Sequence, residues 1–584
     1  MGWGCSLNSR FGRVGKMTGA ERTYLPALRA LGHTLALSIG AASFLVLFGP
    51  DFLFNRSPYL LHPGGDISAE MGAYFRMAQD SWRFPLFDLP TANDPEGANQ
   101  IIIGGVPILA LLAKILRSLT GETLNLFGPW FFLCVVLQAH SFYFLLLQID
   151  DRKPLLCAAA SLIAVLTYGF MTRFGHVALF AQFINIYAVA FVVATTRDDA
   201  KPQRIVAWLA GLALLATFIF AYLGFSNIVM LGAGLVSLWW LGRISIKQAS
   251  IYLATFCATL LALCWVAGYF WAIGKAEPVP AFAFASLALN VGSLFFPHQS
   301  ALFPSWPLFW RWWEGDFYLG TAIVTLWLAV LLGNPRPMVF GPLVRNWPMA
   351  LVLLALTVFC ASNRIQFGSV TLISYEMPSF MEPFVGQLRA GGRMFWPVGY
   401  LLIAAPLTLA IQSWPRLAPA IVSAAVLISI LDATGTYGFL TRRITTPGRV
   451  AFAWDGLNEV IRQHRAVRIY PSFWCDTGTG DSLKLVLHKE IEYAMGLANV
   501  PTNSTATSRK IKDCSRERES MHVLEPGELN LFLNDATVQA ALALTKLDPA
   551  QVCRRFKLDK VTALMCSREW TAEMTLPLPE LHPL

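Results

Sequence analysis

His62-Pro63-Gly64-Gly65-Asp66-Ile67-Ser68-Ala69-Glu70-Met71-Gly72-Ala73-Tyr74-Phe75-Arg76 decides how the rest of the chain is read. The stretch follows an apolar run over residues 32–50 and places two carboxylates, Asp66 and Glu70, just beyond it. Its glycines free the backbone where the chain leaves that run. Asp66 is placed to cap a helix starting at Ile67, with Glu70 one turn later on the same face. Tyr74, Phe75, Trp82, Phe84 and Phe87 follow, interleaved with Arg76 and Arg83. That spacing predicts an amphipathic helix lying in a membrane interface. Capping alone would account for Asp66. A general base beside lipid headgroups, taking a proton from an acceptor hydroxyl, would account for it as well, and the two roles are compatible.

On either side of this loop the chain is too apolar for a soluble protein. Of its 584 residues 55% are hydrophobic and 14% charged, against about 25% charged in an ordinary soluble domain. Residues 32–433 hold runs of about 17–23 apolar residues, the length that crosses a hydrocarbon core. Residues 434–584 return to globular composition. The expected architecture is a cytoplasmic N-terminal segment (1–31), an all-α polytopic membrane domain (32–433) and a C-terminal soluble domain (434–584) of α/β or α+β type. Val467-Arg468-Ile469-Tyr470 reads as a strand of that domain, and residues 535–546 read as a helix. The net charge of +9 is not a nucleic-acid signature, because the basic residues sit in short clusters between spans, where they orient the protein. Arg10, Arg13, Lys16, Arg22 and Arg29 against Glu21 mark a cytoplasmic anchor. The first apolar run lacks the small-residue cleavage site of a signal peptide.

Candidate spans are 32–50, 126–147, 155–171, 177–195, 205–223, 227–242, 250–272, 317–333, 348–361, 394–412 and 417–433. Residues 101–118 are apolar but short, and hold Gly104, Gly105, Pro107, Lys114 and Arg117. If they cross, the connections carrying Arg152 and Lys153, Arg197, Lys201 and Arg204, and Arg243 and Lys247 fall outside. If they do not, all seven lie inside with Arg336, Arg345 and Arg416, and Arg173 alone among the short mid-chain connections is outside. Charge bias selects the second threading, with about eleven crossings and a re-entrant or interfacial segment at 101–118. Residues 51–125, 273–316, 362–393 and 434–584 then share the outer face.

Chemistry is expected on that face. Arg173, in Thr172-Arg173-Phe174-Gly175-His176, is a cation kept against the inside bias. It suits a phosphate, or it snorkels to the interface. For His176 a structural hydrogen bond is the blander role. Trp310-Arg311-Trp312-Trp313-Glu314-Gly315-Asp316 precedes a span. An interfacial aromatic belt explains its tryptophans, but Glu314 and Asp316 would prefer full solvation unless they serve a site. In Leu388-Arg389-Ala390-Gly391-Gly392-Arg393-Met394 the two arginines share a helix face, where they would grip a phosphate or anchor the span to headgroups. Walker, HExxH, GxSxG and dinucleotide-binding patterns are absent from the sequence.

Cys134, Cys157, Cys257, Cys264 and Cys360 lie in apolar spans as packing residues. Cys475, Cys514, Cys553 and Cys566 fall in the soluble domain and suit two disulfides, with three possible pairings. They lack the paired spacing of a zinc site. Asn503-Ser504-Thr505 matches a glycosylation sequon, a weak signal at three residues.

The order of these motifs resembles a group of bacterial multi-span proteins with a domain of unknown function. That order is Gly-Gly-Asp after the first span, an aromatic segment, Arg-Phe-Gly-His, Trp-Glu-Gly-Asp-Phe-Tyr-Leu-Gly, and Leu-Arg-Ala-Gly-Gly-Arg-Met-Phe-Trp-Pro. The group in turn resembles the GT-C superfamily of membrane glycosyltransferases. The resemblance covers about residues 30–440 and implies transfer of a sugar from a polyprenyl-phosphate donor to an envelope glycan, lipid or protein acceptor. The work would be done at the outer face of a bacterial inner membrane, with the N-terminus cytoplasmic and the C-terminal domain periplasmic. It implies Asp66 as the catalytic acid residue, with Glu70 and Glu314 as further acids. Arg389, Arg393 and Arg173 would hold the donor phosphate, with His176 beside them. No cofactor is implied, and no compact set of oxygen ligands indicates a divalent metal. The other function considered is a transporter, flippase or scaffold for lipid-linked polysaccharide. A transporter should place charges near the midplane, whereas the mid-span polar residues here are Gln138, His140, Gln182 and Asn185.

Overall fold

The computed structural model describes residues 19–275, 277, 284–285, 287–304, 315–333, 345–388, 390–448, 454–476, 487–520, 525–547, 552–558, 561–571, 573–574, 576 and 582–583. Among them, seven helices are long and apolar enough to cross a membrane: Tyr24–Leu47, Phe127–Ile149, Pro202–Ile219, Ala221–Trp240, Ile246–Ala267, Gly391–Ser413 and Ala418–Thr445. A bent pair, Pro154–Val165 and Tyr168–Gly175, passes the same test with a 51° break. Three shorter apolar helices accompany them, Phe183–Ala194, Thr321–Gly333 and Trp347–Ala361. The last long helix runs on to Thr445 rather than stopping at 433, which carries Arg442 and Arg443 on its final turn.

The break in the bent pair is held by two of the polar residues noted in the spans. An interrupted helix leaves carbonyls that hydrocarbon cannot satisfy. Gln138 Nε2 donates to Ala164 O (3.2 Å) on one side of the break, and Gln182 Nε2 donates to Gly169 O (2.8 Å) on the other. Tyr400 joins the two amides, donating to Gln182 Oε1 and accepting from Gln138 Nε2, both at 2.6 Å. These glutamines therefore serve the fold, holding the break that precedes a short turn, Thr172–Gly175.

Basic residues that charge bias threads to one side meet at one end of the bundle. Arg29 and Arg197 share Asp151 at 2.5 and 2.9 Å, and Arg243 donates to Arg197 O at 2.9 Å. Arg10, Arg13 and Lys16 lie outside the described residues.

Residues 101–118 form a short helix, Gln100–Ile103, then a turn and a second helix, Pro107–Thr120. The second helix has fourteen residues and rises about 21 Å. It packs on the helix Asp66–Gln79, called here the loop helix. The sequence predicted that this segment lies in the interface with its aromatic face. It is instead buried nearly all round, Arg76 included, and it stops at Gln79.

What buries it comes from the far end of the chain. A five-stranded mixed sheet runs Ala466–Tyr470, Glu528–Phe532, Val561–Ser567, Val552–Leu558, His582–Pro583 in spatial order, the first pair parallel and the rest antiparallel. A parallel pair requires a crossover, and this one carries the helix Lys489–Ala498, which lies directly on the loop helix. Backbone meets backbone at that seam: a Cβ on Gly496 would fall 2.1 Å from Gly72 O, and one on Gly72 would fall 2.6 Å from Glu492 O. Only glycine at both positions permits the approach. Around the seam Arg76 Nη1 donates to Val500 O (2.8 Å), and Gln79 Nε2 donates to Gly496 O (3.0 Å). Arg468 pairs with Asp94 (2.6 Å).

Two disulfides join Cys475 to Cys514 and Cys553 to Cys566. Asn503 is buried, accepting from Ile469 N (2.8 Å) and donating to Ile469 O (3.1 Å), so its amide is a structural link between chain segments rather than an exposed glycan acceptor.

Candidate active site

Asp66 does not cap the helix it was expected to cap. Gly65 takes the N-cap position with φ 72° and ψ −139°, and its helix has no side-chain cap hydrogen bond. A positive φ there excludes most other residues. Asp66 becomes the first helical residue, where the helix dipole favours a negative charge. Its carboxylate is left to meet other groups.

Two of those groups come from distant parts of the chain. His176, at the end of the turn that follows the broken span, places Nε2 3.3 Å from Asp66 Oδ2 and Nδ1 3.8 Å from Glu70 Oε1. Lys489, the first residue of the crossover helix, pairs its ammonium with Asp66 Oδ1. Glu70 also accepts from the backbone N–H of Val177 at 3.0 Å, which pins the His176 turn to the loop helix. Burial alone would raise the Asp66 pKa. The charges of His176 and Lys489, the Lys489 hydrogen bond and the more distant Arg393 outweigh it and hold the carboxyl below its ordinary range.

Asp66 and His176 line a cavity of about 920 Å³. Arg442 and Arg443, from the last turn of the last long helix, line it as well, with Tyr59 and His298. The Arg443 guanidinium lies over the rings of Phe439 (5.7 Å) and Phe174 (6.0 Å), a cation–π seat that aims it. Gly448 N donates to His62 O (2.7 Å) and ties the end of that helix to the first outer loop. The cavity is thus lined by a carboxylate, two imidazoles and two guanidiniums.

The sequence-predicted residues divide as follows. Asp66, Glu70 and His176 come together. Arg393 stacks on Tyr222 (5.5 Å) and Phe220 (6.0 Å), close enough to lower the Asp66 pKa. Arg173 turns inward and is fully buried, while Thr172, Phe174, Gly175 and His176 around it line the cavity. Its charge acts on Asp316, a buried carboxylate whose pKa burial pushes up to about 7 against the pull of Arg173. Glu314 and Arg389 lie outside the described residues. Among the described residues no group of three or more His, Cys, Asp or Glu side chains is arranged to hold a metal ion.

Lys489, Arg442 and Arg443 were not found from sequence. The arginine pair follows the last apolar run directly, and its doubling was the available signal. Lys489 carried none, since nothing local distinguishes it.

The described helices and this cavity define a multi-pass membrane protein with a site at one end of its bundle. Residues 37–434 match the family described as "Domain of unknown function (DUF6311)". The chain belongs to that family. The matched stretch takes in Asp66, Glu70 and His176 and ends before Arg442, Arg443 and Lys489. No curated protein matches the sequence. Among solved structures, the chain is similar to the archaeal oligosaccharyltransferase AglB from Archaeoglobus fulgidus in complex with an inhibitory peptide and a dolichol-phosphate, at 11% identity and TM-score 0.47, covering 97% of this chain and 77% of that one. It is also similar to ArnT from Cupriavidus metallidurans bound to undecaprenyl phosphate, at 11% identity and TM-score 0.40, covering 92% and 97%.

Proposed function

We propose that the chain is a membrane glycosyltransferase of the GT-C kind. It takes a sugar from a polyprenyl-phosphate donor and passes it to an envelope glycan, lipid or protein acceptor at the outer face of the inner membrane. The observation that carries this is the cavity that Asp66, His176, Arg442 and Arg443 line together. At about 920 Å³ it lies at the roomy end of the usual range for ligand sites, about 300–1,000 Å³. Paired guanidiniums suit a phosphate, and a depressed carboxylate in the same cavity suits a base that is ionised at neutral pH. In this reading the three shorter apolar helices and the bent pair complete about eleven crossings, and the C-terminal unit stands outside.

The reaction then needs little from the protein. Asp66 takes the acceptor's hydroxyl proton, and the acceptor oxygen bonds the sugar's anomeric carbon. The bond from that carbon to the phosphate oxygen breaks, and its electron pair leaves on the phosphate. Arg442 and Arg443 meet the charge that develops there, the larger part of such catalysis. His176 holds Asp66 and Glu70 in place.

Asp66→Asn is the test, with sugar transfer from polyprenyl-phosphate sugars followed in detergent or nanodiscs. The expected loss is about 10²–10⁴-fold at unchanged expression. Undiminished transfer by the variant, or no transfer by the wild type from any donor, rejects the proposal.

A further inference from the structure

Lys489 is buried, yet it is not part of the membrane bundle at all. It opens the crossover helix of the C-terminal sheet, and the Gly72–Gly496 seam presses that helix onto the loop helix closely enough for its ammonium to pair with Asp66. Its near neighbour Glu492 accepts from Ala506 N at 2.9 Å and also faces Lys489 and Arg76 electrostatically. Asp66 is faced by His176 and Lys489 directly, by Arg393 and Tyr59 electrostatically, and by Arg442 and Arg443 in the shared cavity, with Glu70 behind His176.

We propose that Lys489 is a positioning residue that moves between two anions, holding Asp66 in the empty site and turning to the donor phosphate in the loaded one. Asp66 is then released as a base only once the donor is present. This rests on the glycosyltransferase reading above. Two features support it. A lysine is a point charge on a flexible stem with rotatable donors, able to exchange partners without moving its helix. A phosphate entering beside Asp66 adds a second anion, and a cation shared between them removes the repulsion. The C-terminal unit would thereby make acceptor activation conditional on donor binding.

The test compares full-length wild type, Lys489→Met and Lys489→Arg. The acid limb of kcat/KM for the donor reports the free enzyme, and that of kcat reports the loaded one. Removing the lysine should raise the kcat/KM limb by on the order of 1 pH unit and leave the kcat limb in place. A fixed ion pair would move both limbs together, which would overturn the proposal. Independently of turnover, a polyprenyl phosphate in detergent should bind Lys489→Met on the order of tenfold more weakly and Lys489→Arg nearly as well as wild type. Equal binding to Lys489→Met would also overturn it. A wild type that binds the polyprenyl phosphate without transferring sugar rejects the glycosyltransferase reading while leaving this binding comparison to decide the lysine's role. Lys489→Gln carries the same comparisons if Lys489→Met does not reach the membrane.

Discussion

Gly496→Ala strikes the seam that brings Lys489 to Asp66. The new Cβ would sit 2.1 Å from Gly72 O and 2.6 Å from both Gly72 C and Gly72 Cα. Ordinary contacts between such atoms begin near ~3.5 Å, so the two helices must part by roughly 1 Å or bend. No side chain can swing aside to relieve this, because every clashing atom is backbone. Overpacking of this kind costs about 1–3 kcal/mol. The Gln79 bond to Gly496 O, at 3.0 Å, is strained with it. Lys489 rides on the same helix, so the displacement reaches the site, where a misplacement of about 1 Å is worth on the order of 100-fold in rate. Gly232→Ala is the matched control, since a Cβ there meets nothing within 4 Å. Melting in one detergent and donor turnover should both fall for Gly496→Ala and hold for Gly232→Ala. A Gly496→Ala protein that melts and turns over like wild type would refute the claim that backbone contact at this seam sets the site.

Arg443→Ala should raise the donor KM by on the order of tenfold, and Arg443→Lys should recover only part of it, because a point charge cannot reproduce a forked contact. Donor titrations that leave KM unchanged in Arg443→Ala would remove that arginine from the phosphate site. Asp316 supplies a prediction on pH. Its carboxyl titrates near 7 in the fold against 3.8 ordinarily, so the native state keeps a proton that the unfolded chain has lost. The stability from this group is whole below about pH 4 and drains away as pH rises to about 7, by on the order of 4 kcal/mol at most. Wild type should therefore lose more melting temperature than Asp316→Asn across that window. Parallel melting curves would show that Asp316 is not the group responsible.

Much of the membrane part was legible because hydrophobic length is a local property. The long spans needed no tertiary information. The loop helix was misjudged for a physical reason. Its arginine and glutamine resemble a solvated face until Val500 and Gly496 supply carbonyls for them. Asp66 was assigned the wrong local task, because whether Gly65 or Asp66 caps the helix turns on one positive φ. Arg173 was read as a cation for a phosphate or for the interface, and Asp316 as an acid seeking solvent or a site, without the two being connected, whereas the structure buries both and sets the charge of one on the other. Lys489 belongs to the class of residue that pattern reading does not reach. It acts at a distance along the chain where no periodicity links it to its partner.

Asp66 and Lys489 stand 423 residues apart, and Arg76 and Val500 stand 424 apart. The first outer loop therefore emerges from the ribosome and translocon long before either of its coverings. Until the crossover helix arrives, Gly72 and Phe75 have no lid from that side and Arg76 has no carbonyl at Val500. Until the last span is threaded, Arg442 and Arg443 are missing from the cavity. Contacts of such separation are slow to form. The nascent protein therefore passes through a long interval in which its acid is displayed without the rest of its site. In the proposed enzyme, maturation is in effect its own activation step: the base is made first and armed last.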